Sequence, residues 1–141
     1  MTKKYKILTE FIKDMSCETP DVETFLFVKD NITKYSLHID INSRLLKKKI
    51  IEINTILKFE DKNLENKRSH FEITYTTIIN VIDDVKDKKK IEKIILCEVP
   101  TEIYPRLQNV FLSLLKNSGF QEIKLEKKIN FEELYKERIV N

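Results

Sequence analysis

A single glycine in 141 residues is the plainest chemical statement this sequence makes. Loops that cradle phosphates or dinucleotides need several residues able to approach a ligand without a side chain, so that class of cofactor site is excluded. Tryptophan is absent, proline occurs three times, and cysteine and histidine twice each. Cys17 and Cys97 fit no metal or redox spacing and read as free thiols in a reducing cytoplasm, small enough to be buried as apolar residues. His38 and His70 stand without the Cys/His/carboxylate clustering of a metal site. No apolar run approaches the ~20 residues of a membrane span. Met1-Thr2-Lys3-Lys4 leads into polar sequence rather than the apolar core of a signal peptide. There is no Ser/His/Asp elbow, and the paired carboxylates Glu132 and Glu133 are adjacent, so they project in different directions and cannot act together. The expectation is a cytoplasmic protein that is no enzyme and uses neither cofactor nor metal.

What is present is a solvated exterior around one domain spanning residues 1–141. Charged residues make up 35% and hydrophobic residues 41%, while 26 bases against 23 acids leave a net charge of +3. That balance does not announce a nucleic-acid partner. Residues 5–12 alternate Tyr5, Ile7, Thr9 and Phe11 with polar neighbours, which predicts a half-buried strand broken by Pro20-Asp21. Residues 22–34 read as irregular. Strict alternation of Tyr35, Leu37, Ile39 and Ile41 predicts a second strand, ended by Asn42-Ser43 with Leu45–Lys48 in a connection. Ile51, Ile53, Thr55, Leu57 and Phe59 give a third, and Phe71, Ile73, Tyr75 and Thr77 a fourth after a polar loop at 60–69. Short polar loops between consecutive strands predict an antiparallel meander joined by the N-terminal strand.

Helices follow. Residues 83–90 read as a solvated linker and 91–98 as a short helix. Ile103, Leu107, Val110, Phe111, Leu114 and Leu115 then keep the spacing that stacks side chains on one helix face. Pro100 and Pro105 suit a first turn, and Gly119 suits the cap that closes a helix with positive φ. Leu112 lies well off the main stripe, so this helix has apolar residues on more than one side and is expected to meet a partner chain as well as its own sheet. Asn130 is placed to cap a last helix over 130–140, with Glu132 and Glu133 in its first turn. The fold class is α+β: a four-stranded antiparallel sheet followed by a long helix and a C-terminal helix.

Two stretches together resemble a known family. Pro100, Pro105, Gly119 and Phe120, followed by a short Ile123/Leu125 segment and then Asn130, Phe131, Leu134 and Tyr135, are similar to the C-terminal half of the protein-export chaperone SecB. Lys13-Asp14-Met15-Ser16-Cys17-Glu18-Thr19-Pro20 resembles that family's Lys-Asp-x-Ser-Phe-Glu-x-Pro. The resemblance implies a holdase, a homotetramer built as a dimer of dimers, that keeps preproteins unfolded in hydrophobic grooves and delivers them to the ATPase SecA. It implies SecA-facing acids at Asp14, Glu18 and Glu72, client-groove residues at Tyr35, Leu37 and Ile39, and a subunit interface at Leu107, Phe111, Leu112 and Leu115. Nucleic acid and membrane insertion are not among the implied partners.

The sequence also departs from the family. Lys29-Asp30-Asn31 stands where the family has Lys-Asp-Trp, Thr76-Thr77 replaces Gly-Gly, His70 replaces a Leu, the net charge is basic rather than acidic, and the sequence stops about six residues after Tyr135 without the family's acidic tail. These differences bear on the SecA handover more than on the holdase fold. Two other readings stay open: a SecB-like chaperone dedicated to an antitoxin, and a nucleic-acid-binding or structural module using the lysine-rich loops 47–49 and 86–93.

Overall fold

Alternation carries further along this chain than its turn residues suggest. A computed structural model describes residues 3–61, 69–82, 87–120, 123 and 129–140. Four long strands, β1 (Tyr5–Glu18), β2 (Ser36–Lys47), β3 (Ile50–Glu60) and β4 (His70–Val81), form one sheet in the order β1-β4-β3-β2. Every pairing is antiparallel. The α+β class and the meander with an added N-terminal strand are as the sequence predicts.

Three details differ. β1 continues to Glu18, past the expected end at residue 12. β2 runs through Asn42-Ser43 without a break because Asn54 on β3 donates to Asn42 Oδ1 at 2.9 Å, so the asparagine finds its partner across the ladder rather than in a turn. Residues 22–31 are a helix, α1 (Val22–Asn31), opened by Asp21, whose carboxylate accepts from Thr24 N–H at 2.7 Å, and followed by a short 3₁₀ segment at Ile32–Lys34. The expected linker at 83–90 lies outside the described residues up to 86.

A helical path then runs without interruption from α2 (Lys88–Lys93) through a π-turn (Ile94–Glu98) into α3 (Val99–Asn117). The π-turn answers to Pro100. In α geometry its ring would meet the carbonyl of Leu96, and widening the preceding turn relieves that contact. Val99 N–H accordingly donates to Ile94 O, five residues back. Pro105 is therefore not in a first turn but inside α3, on its exposed side. Gly119 has φ +100° and closes α3 as expected, with Phe120 N–H returning to Leu115 O at 3.0 Å. An added Cβ there would lie 2.7 Å from the Phe25 ring, so position 119 requires glycine on two counts. The last helix, α4 (Phe131–Val140), is capped by Asn130, whose side-chain oxygen accepts from Glu133 N–H at 3.0 Å.

The helices cover one face of the sheet. Ile53, Leu57, Phe71, Ile73 and Ile79 point into that layer and are met by a stripe of fully buried side chains, Ile94, Val99, Ile103, Leu107, Phe111 and Leu115. Burying each such side chain contributes about 1.5–3 kcal/mol. At one end Phe25, Tyr35, Phe59, Phe71 and Phe120 interlock with ring centroids 5.1–6.2 Å apart. Further along, Arg106 of α3 grips Glu10 of β1 with two hydrogen bonds of 2.7 and 2.8 Å, and Tyr75 Oη donates to the same carboxylate at 2.8 Å.

Candidate functional site

On the helix-facing side of β2, Leu37, Ile39 and Ile41 recur every second residue opposite Phe59, Leu57 and Thr55. Ile39 and Ile41 also pack on the cluster formed by Cys97, Tyr104, Phe131 and Tyr135. Between β2, the π-turn and α4 lies a trough of about 390 Å³ lined by Ile39, Ile41, Leu96, Phe131, Leu134, Tyr135 and Glu137. Phe131 and Tyr135, one turn apart on α4, pack on Cys97 and Tyr104, with the Phe131 and Tyr104 rings edge to face at 5.7 Å. Tyr135 Oη donates to Lys89 O at 3.4 Å. Burial pushes the Cys97 thiol above its ordinary value, and the nearby Glu132 carboxylate adds to that, so the trough is backed by a neutral thiol rather than a nucleophile. Six of the seven lining residues are apolar or aromatic, and Glu137 is the one charged residue among them. Chemically they can bury apolar side chains of another molecule beside a single carboxylate.

The structure separates the three residues expected to line a groove. Ile39 is on the trough wall and Leu37 is half-buried beside the core. Tyr35 is a core residue, 7% exposed, whose Oη accepts from Ser69 N–H at 3.3 Å. Sequence reasoning missed Ile41, Leu96 and the α4 residues Phe131, Leu134, Tyr135 and Glu137 as groove residues. Ile41 carried the same signal as Ile39. Leu96 carried none, since its position depends on the widened turn.

Among the four residues expected at a subunit interface, Leu107, Phe111 and Leu115 are fully buried within one chain and have no surface to offer a second. They are core. Leu112 retains surface, as do Val110 and Leu114, which face Met15 across a shallow concavity between α3 and β1.

On β1 and β4, Asp14 pairs with Thr74, Ser16 with Glu72, and Glu18 with His70. Their neighbours Phe71 and Ile73 point to the helices, so Asp14, Glu18 and Glu72 share the opposite, outer face. Glu72 meets Lys58 at 3.5 Å. Further along that face a polar belt crosses all four strands. Arg44 and Lys13 approach the Glu52 carboxylate at 3.0 and 3.4 Å, Asn54 donates to it at 2.8 Å, and Thr76 donates to Asn54 at 2.7 Å. The hydrogen bond from Asn54, helped by Arg44 and Lys13, holds Glu52 below the ordinary carboxylate range against the opposing effect of burial. No group of three or more potential metal ligands occurs among the described residues.

The SecB model, described as preprotein translocase subunit SecB, matches residues 1–141. The chain belongs to the SecB family. It is 59% identical over 138 residues to the "Putative protein-export protein SecB" of Pelagibacter ubique, covering 98% of this chain and 99% of that one. It is 26% identical over 131 residues to the protein-export protein SecB of Rickettsia akari, covering 92% and 84% respectively. Among solved structures, a SecB-like chaperone of Mycobacterium tuberculosis, in complex with a peptide from an antitoxin, shares the fold with a TM-score of 0.65 at 8% identity, covering 89% of this SecB-family chain and 88% of its own.

Proposed function

We propose that this SecB-family chain is an export holdase that keeps preproteins unfolded by burying their apolar side chains in the trough between β2, the π-turn and α4. The observation that carries the reading is the trough itself: walls from Ile39, Ile41, Leu96, Phe131, Leu134 and Tyr135, with Glu137 the one charged residue in the lining. Burial there contributes about 25 cal/mol per Å², offset by the cost of ordering the client, so affinity comes from many weak contacts repeated along an unfolded chain. Repetition requires several troughs. A homotetramer supplies them, and the unpaired edge of β1 together with Leu112, Val110 and Leu114 supports such an assembly. Handover to SecA would use the outer face, where Asp14, Glu18 and Glu72 stand together.

The test is suppression of light scattering from an unfolded preprotein, at low and high salt, with and without purified SecA. Holding should survive high salt, since it does not rest on charge. Glu72→Lys should weaken SecA association while holding is unchanged. A monomer in sedimentation, or holding that vanishes with salt, would refute the reading. Suppression confined to one antitoxin would identify a dedicated chaperone instead.

A further inference from the structure

The net charge of +3 conceals an uneven distribution. At one end of the sheet, β1 begins, the β2–β3 hairpin turns and β4 ends. Ile82 N–H donates to Lys4 O at 2.9 Å and Val81 N–H to Lys49 O at 2.8 Å, which brings the two lysine runs to either side of the same strand end. Lys6 pairs with Asn80, and Asn80 with Ile50, just beyond the turn. Six lysines remote in sequence, Lys3, Lys4, Lys6, Lys47, Lys48 and Lys49, thus gather at one rim. Among the described carboxylates Glu102 takes Lys3 at 2.6 Å, and none forms an ion pair with Lys4, Lys6, Lys47 or Lys48. Lys49 itself has φ 69°, a left-handed conformation that glycine or asparagine adopts at lower cost, yet the position holds a lysine.

Apolar side chains stand among these charges. Leu45 is 67% exposed, Leu46 41% and Ile82 42%. Leucines at the tip of a hairpin, next to lysines whose stems can lie along an apolar surface while their ammonium groups stay in water, match the boundary between acyl chains and anionic headgroups. Nucleic acid is matched less well. The rim offers no arginine fork among its six bases, and its nearest aromatic, Tyr5, is buried with its hydroxyl bonded to Glu102 at 3.0 Å, so no ring is free to stack on a base.

We infer that this rim is a peripheral docking surface for an anionic lipid bilayer, with Lys4, Lys47 and Lys48 supplying attraction and Leu45 and Leu46 dipping into the headgroup layer. The surface is remote in kind from the apolar trough, and neither reading needs the other. Each lysine near an anionic surface contributes about a fivefold factor in partition.

Flotation with vesicles tests this. Binding to vesicles of phosphatidylserine in phosphatidylcholine is expected at low salt, with none to pure phosphatidylcholine. Lys4→Gln/Lys47→Gln/Lys48→Gln should lower partition about a hundredfold with client holding intact. Leu45→Ser/Leu46→Ser should lower it several-fold while leaving the salt slope unchanged, which a purely electrostatic polyanion contact would not show. Absence of binding at low salt, equal binding to neutral vesicles, or indifference to the leucine pair would overturn the proposal. So would tighter binding to a short single-stranded RNA than to the anionic vesicles. Should the lysine variant fail to fold, the lipid-composition and salt arms on the unaltered protein decide alone.

Discussion

Two aromatic clusters in this chain are built from similar residues and end differently. Phe25, Tyr35, Phe59, Phe71 and Phe120 close on one another between sheet, α1 and the end of α3, and Phe71 is left with almost no exposed surface. Tyr104, Phe131 and Tyr135 are as buried individually, yet their cluster borders an open trough because α4 stands away from β2. Burial of single residues therefore does not separate structural aromatics from functional ones. Coverage of the neighbouring strand does: where a helix lies directly on the sheet the apolar face is spent on stability, and where it stands off the same face is available to another chain.

The largest effect should come from the closed cluster. Phe71→Ala should cost about 3–5 kcal/mol in urea unfolding, because its cavity has no room to collapse. Phe131→Ala, equally buried, should instead release α4. The expected readout is faster hydrogen exchange in residues 131–137 with a smaller loss of global stability. Equal losses from both variants would erase the distinction between the two regions. Next, Gly119→Ala forces a Cβ against Phe25 at a φ of +100° and should cost about 2 kcal/mol, again with client holding unchanged per folded molecule.

Acid should act on the sheet. Glu52 is held below its ordinary value of 4.5, so as pH falls the unfolded chain takes up that proton first. Stability should be flat above that value and decline as pH drops through the folded one, and Glu52→Gln should flatten that decline. The smallest structural effect with the clearest functional one belongs to Leu134→Ser. Leu134 is exposed on the trough wall, so stability should change by less than about 0.5 kcal/mol while aggregation suppression falls several-fold.

Much of this was legible before any coordinates. The alternations at 51–59 and 71–77 and the stripe of α3 place the sheet and its cover, because period 2 and period 3.6 report directly on which side is buried. They do not report what buries it. Leu107, Phe111 and Leu115 look alike whether they meet a sheet or a second chain, and here they meet the sheet. α1 was missed because its apolar residues make no clean stripe: Val28 is buried while Val22, Leu26 and Phe27 are exposed. β2 was cut short because Asn42-Ser43 carries turn propensity, and no local pattern shows the cross-strand asparagine that overrides it. Ile39 could be named and Leu96 could not; the resemblance matched Phe131, Leu134 and Tyr135 without placing them at the groove.

Ile94 and Val99 are five residues apart, whereas Val99, Ile103, Leu107, Phe111 and Leu115 follow at intervals of four. In an unbroken α-helix a five-residue step turns about 140° away from the starting direction. The π-turn absorbs the additional residue and keeps Ile94 in phase with the stripe. Its footprint in the gene is one codon. Losing one residue from 95–98 would let the helix close into regular geometry with Ile94 four residues before Val99, so the stripe and α2 would keep their phase. The effect would be local: Pro100 would again meet a carbonyl four residues back, and Leu96, which the wider turn carries to the trough wall, would be displaced. A reading-frame-preserving deletion of three bases would thus remodel the trough wall in a protein whose main core keeps its register, so the widened turn serves the trough rather than the fold.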